Sequence, residues 1–284
     1  MKRLYLALLI IAVSPLFAEP AWLTLERGIE ALDDRHPGEA LLYFQDLEAA
    51  DEYRPETAYY IGRIYELEAE MGLAEKQYVK ALNLKNQFYN SEFGYQVQYD
   101  LANLYYKQNR LQEYNNILLD ILQEDPHYNN SDNMRLQTAY LQALEEGGID
   151  KLLLLYRMEP TFALDAHIRL GELYYRQQRY SRALLHDSYA VISQITPLLN
   201  DLRKNDPDFR FTSVVQTLKE ADRDQEFRDL LRDSDFYKAL YYMGASLWAL
   251  QKNNKAVEVW SILTSTTDSG QWGRMADRQI NRMN

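Results

Sequence analysis

A small residue recurs along this chain at a fixed offset from bulky apolar ones, and no other feature constrains the fold as much. Gly62 is followed three residues later by Tyr65 and twelve later by Ala74, with Tyr78 and Ala81 beyond. The same ruler fits Gly28, Ala31, Ala40, Phe44 and Leu47, and again Gly171, Tyr174 and Ala183. Gly244, Leu247, Ala256, Trp260 and Leu263 match as well; Ala102, Tyr105, Tyr114, Leu118 and Ile121 match more loosely and end at Pro126. Gly28 lies 34 residues before Gly62, and Ala102 lies 69 before Gly171, close to two such units. Periods of this size mark stacked supersecondary units. Antiparallel helices approach closely only where side chains are small, so Gly62 and Ala74 are expected at the crossing of a helix pair. Tyr65, Tyr78 and Ala81 would pack around that crossing. A single pair cannot bury its apolar face alone, so neighbouring pairs must stack into a continuous core.

On these residues the sequence resembles the tetratricopeptide repeat family, whose 34-residue units are helix-turn-helix pairs with small residues at the eighth and twentieth positions. The resemblance covers most of residues 21–268. It implies an all-α, right-handed superhelical solenoid, read as a single domain over 19–284. Repeats fall near 21–54, 55–88, 95–128, 164–197 and 237–268. Residues 131–160 read as a degenerate pair broken at Gly147-Gly148, with Ser131 or Asp132 as the N-cap. Residues 198–235 read as a helical insertion that first extends the preceding helix. Residues 270–284 read as a terminal cap with Trp272, Met275, Ala276 and Ile280 on one face. Pro37-Gly38, Gly72, Asn109 and Asn253-Asn254 suit the turns, Gly72 being suited to a left-handed conformation.

The first eighteen residues follow the order of a secretory signal: Lys2 and Arg3, an apolar run from Leu4 to Val13, then Ala18 before Glu19. An uncleaved N-terminal anchor is the alternative reading. Lys and Arg number 31 against 42 Asp and Glu, for a net charge of -11, and loss of Lys2 and Arg3 with the signal would take it to -13. No basic run is present to displace counterions from phosphates, which argues against nucleic acid and anionic lipid as partners. After signal removal no membrane span is expected, and the location is periplasmic or secreted. The chain has no cysteine, which excludes thiolate chemistry and disulfides.

Catalytic constellations do not survive inspection. His186, Asp187 and Ser188 are consecutive on a helix, so their side chains fan out by about 100° per residue and cannot form a triad. No G-x-S-x-G elbow occurs, and His36, His127, His167 and His186 show no metal-ligand spacing. The stretch DPHYNNSDN at 125–133 lacks the central Gly and distal Glu of a calcium loop. The chain is therefore read as a non-enzyme with no catalytic residue, metal or cofactor. One combination is less ordinary. Asp187 occupies the twenty-fourth repeat position, where other units have Phe44, Tyr78, Leu118 and Trp260. If position 24 faces position 4, a buried His167–Asp187 ion pair is expected; a shifted helix that exposes Asp187 is the alternative.

The resemblance also implies a concave face lined by the first helices through positions 2, 5, 9 and 12. These positions include Tyr59, Arg63, Tyr99, Asn103, Tyr106, Glu172, Tyr175, Tyr241 and Trp248. The chain has 23 tyrosines against 9 phenylalanines, an amphipathic excess suited to a groove that is wet when empty and apolar when filled. Padding of the inter-repeat core is the other use of such tyrosines. The family's Lys-Asn-Arg carboxylate clamp is not carried over, because Arg63 and Asn103 lack the matching lysines. The expected function is an exported scaffold binding a protein or peptide in a Tyr-rich groove, for assembly of an envelope complex. A solute-binding subunit partnering a transporter, with 198–235 as a lid, is the alternative.

Overall fold

In a computed structural model of the protein, residues 19–128 and 133–283 are described; the signal expected over residues 1–18 and the expected Ser131 or Asp132 cap lie outside them. The architecture is all-α, without strands among the described residues. The helices are α1 (Ala21–Asp33), α2 (Pro37–Ala49), α3 (Arg54–Leu67), α4 (Met71–Asn83), α5 (Phe93–Lys107), α6 (Leu111–Glu124) and α7 (Asn133–Leu155). They continue as α8 (Leu164–Arg176), α9 (Tyr180–Asn205), α10 (Val214–Ala221), α11 (Gln225–Asp233), α12 (Phe236–Ala249), α13 (Asn253–Thr264) and α14 (Gly270–Met283). The chain divides into two compact units, residues 19–97 and 98–283. None of the described helices is long and apolar enough to cross a membrane.

Five helix pairs share one register, and two physical contacts set it. The first is the turn. Arg35, Ala69, Asn109, Gln178 and Gln251 all adopt positive φ, between 59° and 63°, each seven residues after the small residue of its pair. The residue that follows donates its backbone N–H back to a carbonyl five positions earlier, as in His36 to Ala31 at 2.8 Å and Arg179 to Tyr174 at 2.8 Å. This closure satisfies a carbonyl that the helix end would otherwise leave orphaned. The turn residue in the second pair is therefore Ala69, whereas the expected Gly72 lies in the first turn of α4. This local backbone closure accompanies a non-glycine residue in the left-handed region at each turn.

The second contact is a side chain laid on the small residue, sixteen positions further on. A Cβ added to Gly28 would lie 2.7 Å from the Phe44 ring, and one added to Gly62 would lie 2.7 Å from Tyr78. At Gly244 the same atom would meet Trp260 at 2.5 Å. Position 8 thus receives position 24, and the missing Cβ is the space that the ring occupies. Phe44, Tyr78, Leu118 and Trp260 are fully buried in these places. Phe44, Leu47, Ile61 and Ile64 belong to the core of the first unit. Leu144, Leu152, Tyr189, Ile195, Leu198, Phe236 and Trp260 belong to that of the second.

The remaining helices belong to the second unit. α7 is interrupted at Gly148, whose φ of 75° and ψ of -171° are open to glycine alone among the common residues. There the Glu258 Oε1 accepts the Ile149 N–H at 3.1 Å and serves as a cap for the second half of the helix. α9 extends to 26 residues, and α10 and α11 follow, capped by Ser213 accepting from Gln216 N–H and Asp224 accepting from Glu226 N–H. Trp272, Met275, Ile280 and Met283 of α14 pack against the same core as Trp260.

Candidate functional site

Three first helices of the second unit, α5, α8 and α12, meet around a cavity of about 240 Å³. Asn103 and Tyr106 come from α5, Asp165, Arg169, Glu172 and Arg176 from α8, and Asp235 and Lys238 from the start of α12; Tyr114 of α6 closes the floor. α8 places its four charged residues at spacings of three and four, so they share one helix face. Arg169 Nη1 donates to Asn103 Oδ1 at 2.5 Å, and its Nη2 lies 2.6 Å from Asp165 Oδ2. Glu172 binds Arg176 at 2.5 Å through Oε1 and Lys238 at 2.8 Å through Oε2. A ladder of paired charges thus links α5 to α8 and α8 to α12.

Half-burial strengthens this ladder relative to one in open water. Burial pushes the Glu172 carboxyl up, but Lys238 and Arg176 more than reverse it and hold the group below the usual carboxylate range. Burial lowers the Arg169 guanidinium, and Asp165 overcomes that to raise it. A carboxyl held this way is ionised at neutral pH and has no proton to donate as a general acid. Three acids and three bases line the cavity, so a ligand meets alternating donors and acceptors with no net charge. That surface is suited to recognition.

Of the residues expected to line a groove, Asn103, Tyr106 and Glu172 are brought together here. Tyr99 lies beneath them as a strut: its hydroxyl donates to the Phe162 carbonyl at 2.7 Å and accepts the Ala166 N–H at 3.0 Å, with the Arg169 guanidinium 5.1 Å from its ring centroid. Tyr175 packs against Tyr180 and Tyr242. Trp248 is on the surface, 41% exposed. Two assignments are corrected. Tyr59 and Tyr241 are 3% and 6% exposed and fill core space, Tyr59 against Tyr60 and Phe93, Tyr241 against Trp272. Arg63, with Tyr59 in the first unit, donates to the Tyr59 hydroxyl at 3.0 Å. Asp165, Arg169, Arg176, Asp235, Lys238 and Tyr114 were not legible as site residues, although the i,i+4 charge pairs of α8 were the signal for Asp165, Arg169 and Arg176.

The His167–Asp187 ion pair does not form, and the register explains why. Position 24 lies on position 8, so Asp187 rests on Gly171, where an added Cβ would meet its Oδ1 at 2.1 Å. Position 4 meets position 23, one residue earlier and about 100° around the helix, so His167 faces His186 with Nδ1 atoms 3.0 Å apart. The other nitrogen of His167, Nε2, lies 3.8 Å from Asp125 Oδ2. Tyr189 stacks on His167 at 4.6 Å and Tyr128 on His186 at 5.8 Å. Burial lowers the His167 imidazole and Asp125 opposes that; burial, with His167 and Arg182, pushes His186 well down. Two neutral imidazoles share one hydrogen bond. The carboxylate side favours a proton on His167 Nε2, which leaves its Nδ1 to accept from His186.

Asp187 is left without a hydrogen-bond partner at either oxygen. Burial raises its carboxyl well above the ordinary range, with Lys238 opposing and Glu172 adding to the rise. Ser188, the third letter of the apparent triad, donates to the Leu184 carbonyl at 2.7 Å, an i−4 back-bond within its own helix. No group of three or more ligand-type side chains able to hold a metal occurs among the described residues.

No family model matches the chain. An uncharacterized protein of Treponema pallidum (strain Nichols) is 26% identical over 163 residues, which span 57% of this chain and 44% of that protein. The chain thus matches less than half of that relative's length. Among solved structures, the TPR2AB-domain:pHSP90 complex of yeast Sti1 is similar at 12% identity with a TM-score of 0.33, over 91% of this chain and 96% of that one. The repeat architecture rests on the chain's own helix pairs and their shared register.

Proposed function

We propose that this protein is an exported scaffold that holds a protein or peptide partner against the charged cavity of its second unit and serves the assembly of an envelope complex. The observation that supports this reading is the ladder Asn103–Arg169–Asp165 and Arg176–Glu172–Lys238, which joins first helices of three pairs around a half-buried cavity. Its alternating donors and acceptors complement a polypeptide backbone and side chains of both signs, and Tyr106, 45% exposed at the rim, offers an aromatic anchor. The charged and apolar order of residues 1–18 supports export.

The test is capture of partner from a native envelope extract by purified protein. Arg169→Ala and Glu172→Gln each remove one rung while leaving the Gly171 crossing untouched. Partner recovery should fall at least tenfold in either variant with the helical circular dichroism unchanged. Undiminished recovery in both would place the binding surface elsewhere.

A further inference from the structure

The first unit contains a second cavity of different chemistry. It is open, about 510 Å³, and lies between Trp22 and Leu25 of α1, Tyr53, Glu56 and Tyr60 on or beside α3, and Tyr89 and Phe93 ahead of or on α5. Its walls are mostly aromatic, and its polar residues are Asn90 at the rim and the carboxylate of Glu56. Glu56 is only 7% exposed, and its Oε1 accepts the Tyr89 N–H at 2.7 Å. No basic side chain pairs with Glu56 among the described residues. The rings are held in place: Tyr60 stacks on Phe44 at 5.2 Å and lies 6.1 Å from Phe93, which in turn meets Phe88 edge-on at 5.5 Å. Tyr53 is kept at φ 45° and ψ 43°, a left-handed conformation uncommon for a bulky residue, with its carbonyl accepting the Thr57 N–H at 2.7 Å. Asp235 takes the same left-handed conformation ahead of α12, so the turn belongs to the repeat.

One further observation points to an occupant. Trp22 is 57% exposed and Tyr89 92% exposed, so two large aromatics stand open at the rim of an apolar cavity. Charged groups of both signs lie near the inner wall: burial pushes the Tyr60 hydroxyl up, Asp33 adds to that, Arg63 opposes it and Glu56 adds again. Ring faces attract cations through their quadrupoles, and a carboxylate in a partly desolvated cavity attracts them more strongly than one in water. A neutral occupant would bury Glu56 further without offsetting its charge, which selects against it.

We propose that this cavity grips an arginine side chain presented by a basic segment of the partner. The planar guanidinium matches both halves of the cavity, stacking on its rings while its fork meets the Glu56 carboxylate. An open cavity with exposed rim aromatics admits a side chain whose backbone stays above the rim. The chain's net charge of -11 steers basic partners toward it. The assignment rests on the reading of the protein as a partner-binding scaffold, and it adds the chemical class of one contact.

The test is titration of the isotope-labelled full chain, following the Trp22 indole N–H signal by NMR and assigning that signal by its loss in Trp22→Phe. The probes are acetyl-Gly-Arg-Gly-amide, the same peptide with neutral citrulline in place of arginine, and choline. The arginine peptide should move the signal with an affinity at least tenfold above that of the citrulline peptide. Glu56→Gln keeps an oxygen to accept the Tyr89 N–H and should bring arginine down to the citrulline level. Equal binding of arginine and citrulline, or unchanged binding in Glu56→Gln, would overturn the proposal. Choline binding as tightly as the arginine peptide would also overturn it, in favour of a small-cation site. Arg169→Ala should leave this titration intact while losing partner capture, so failure here and failure of the scaffold reading are separable.

Discussion

Replacing Asp187 by leucine should stabilise the protein, although it deletes a buried charged-type residue from the crossing of a helix pair. The wild-type carboxyl is fully buried with neither oxygen hydrogen-bonded, and each buried polar group left unsatisfied costs about 1–3 kcal/mol. Leucine removes that cost and adds the burial of an apolar side chain, about 1.5–3 kcal/mol. The site has room for it: the other pairs place Phe44, Tyr78 or Trp260 over the equivalent glycine, and Leu118 is itself fully buried at position 24 of its unit. Repacking strain of about 1–3 kcal/mol offsets part of the gain. A net gain of about 1–3 kcal/mol raises Tm by about 2–4 °C per kcal/mol in a unit of this size. Linkage supplies a second signature. The Asp187 carboxyl is raised in the folded protein, so folded molecules bind more protons than unfolded ones above the unfolded value of 3.8. Wild-type stability therefore falls as pH rises from that value toward the raised folded value. The advantage of Asp187→Leu should be larger at pH 7 than at pH 4, and Asp187→Asn should share that pH dependence. Circular dichroism melts at the two pH values measure both. A destabilised leucine variant, or a gain that does not change with pH, would refute the claim that Asp187 is unpaired.

The histidine pair gives the opposite sign. Both imidazoles are lowered below 6.5 in the folded protein, so unfolded molecules bind more protons and stability is lost as pH falls below that value; His186→Phe should flatten the decline in urea midpoint between pH 7.5 and 5. Gly148→Ala should cost about 1–3 kcal/mol through its backbone conformation alone, and its Cβ would also meet the Glu258 carboxylate; a chemical denaturation midpoint equal to wild type would contradict the strained kink.

The repeat register was legible because small residues return at one spacing, and Gly28, Gly62, Gly171 and Gly244 all receive a side chain sixteen residues on. Asp187 was legible as an anomaly for the same reason. Its partner was not, since one residue of error turns a side chain by about 100° and moves it from His167 to Gly171. Tyr59 and Tyr241 could not be told from groove residues by type, because a tyrosine fills a core or a rim equally well. Arg169 and Asn103 are 66 residues apart, and their contact depends on how pairs pack, which no local pattern encodes. Trp22 and Glu56 were within reach: each occupies the second position of its unit and faces the cavity of the first unit. Ala69 was out of reach, because the left-handed turn position is held by an alanine where glycine is the usual signal, with Glu70 N–H closing back on the Tyr65 carbonyl.

The central claim is that a partner docks on the cavity between α5, α8 and α12. A photo-crosslinking amino acid placed at Tyr106 in the native cell tests it most directly, with Leu42, 63% exposed and remote in role, as the control position. The account predicts one discrete protein adduct from Tyr106 that is lost with Arg169→Ala, and none from Leu42. The same adduct from both positions, or an adduct from Tyr106 that survives Arg169→Ala, would contradict it.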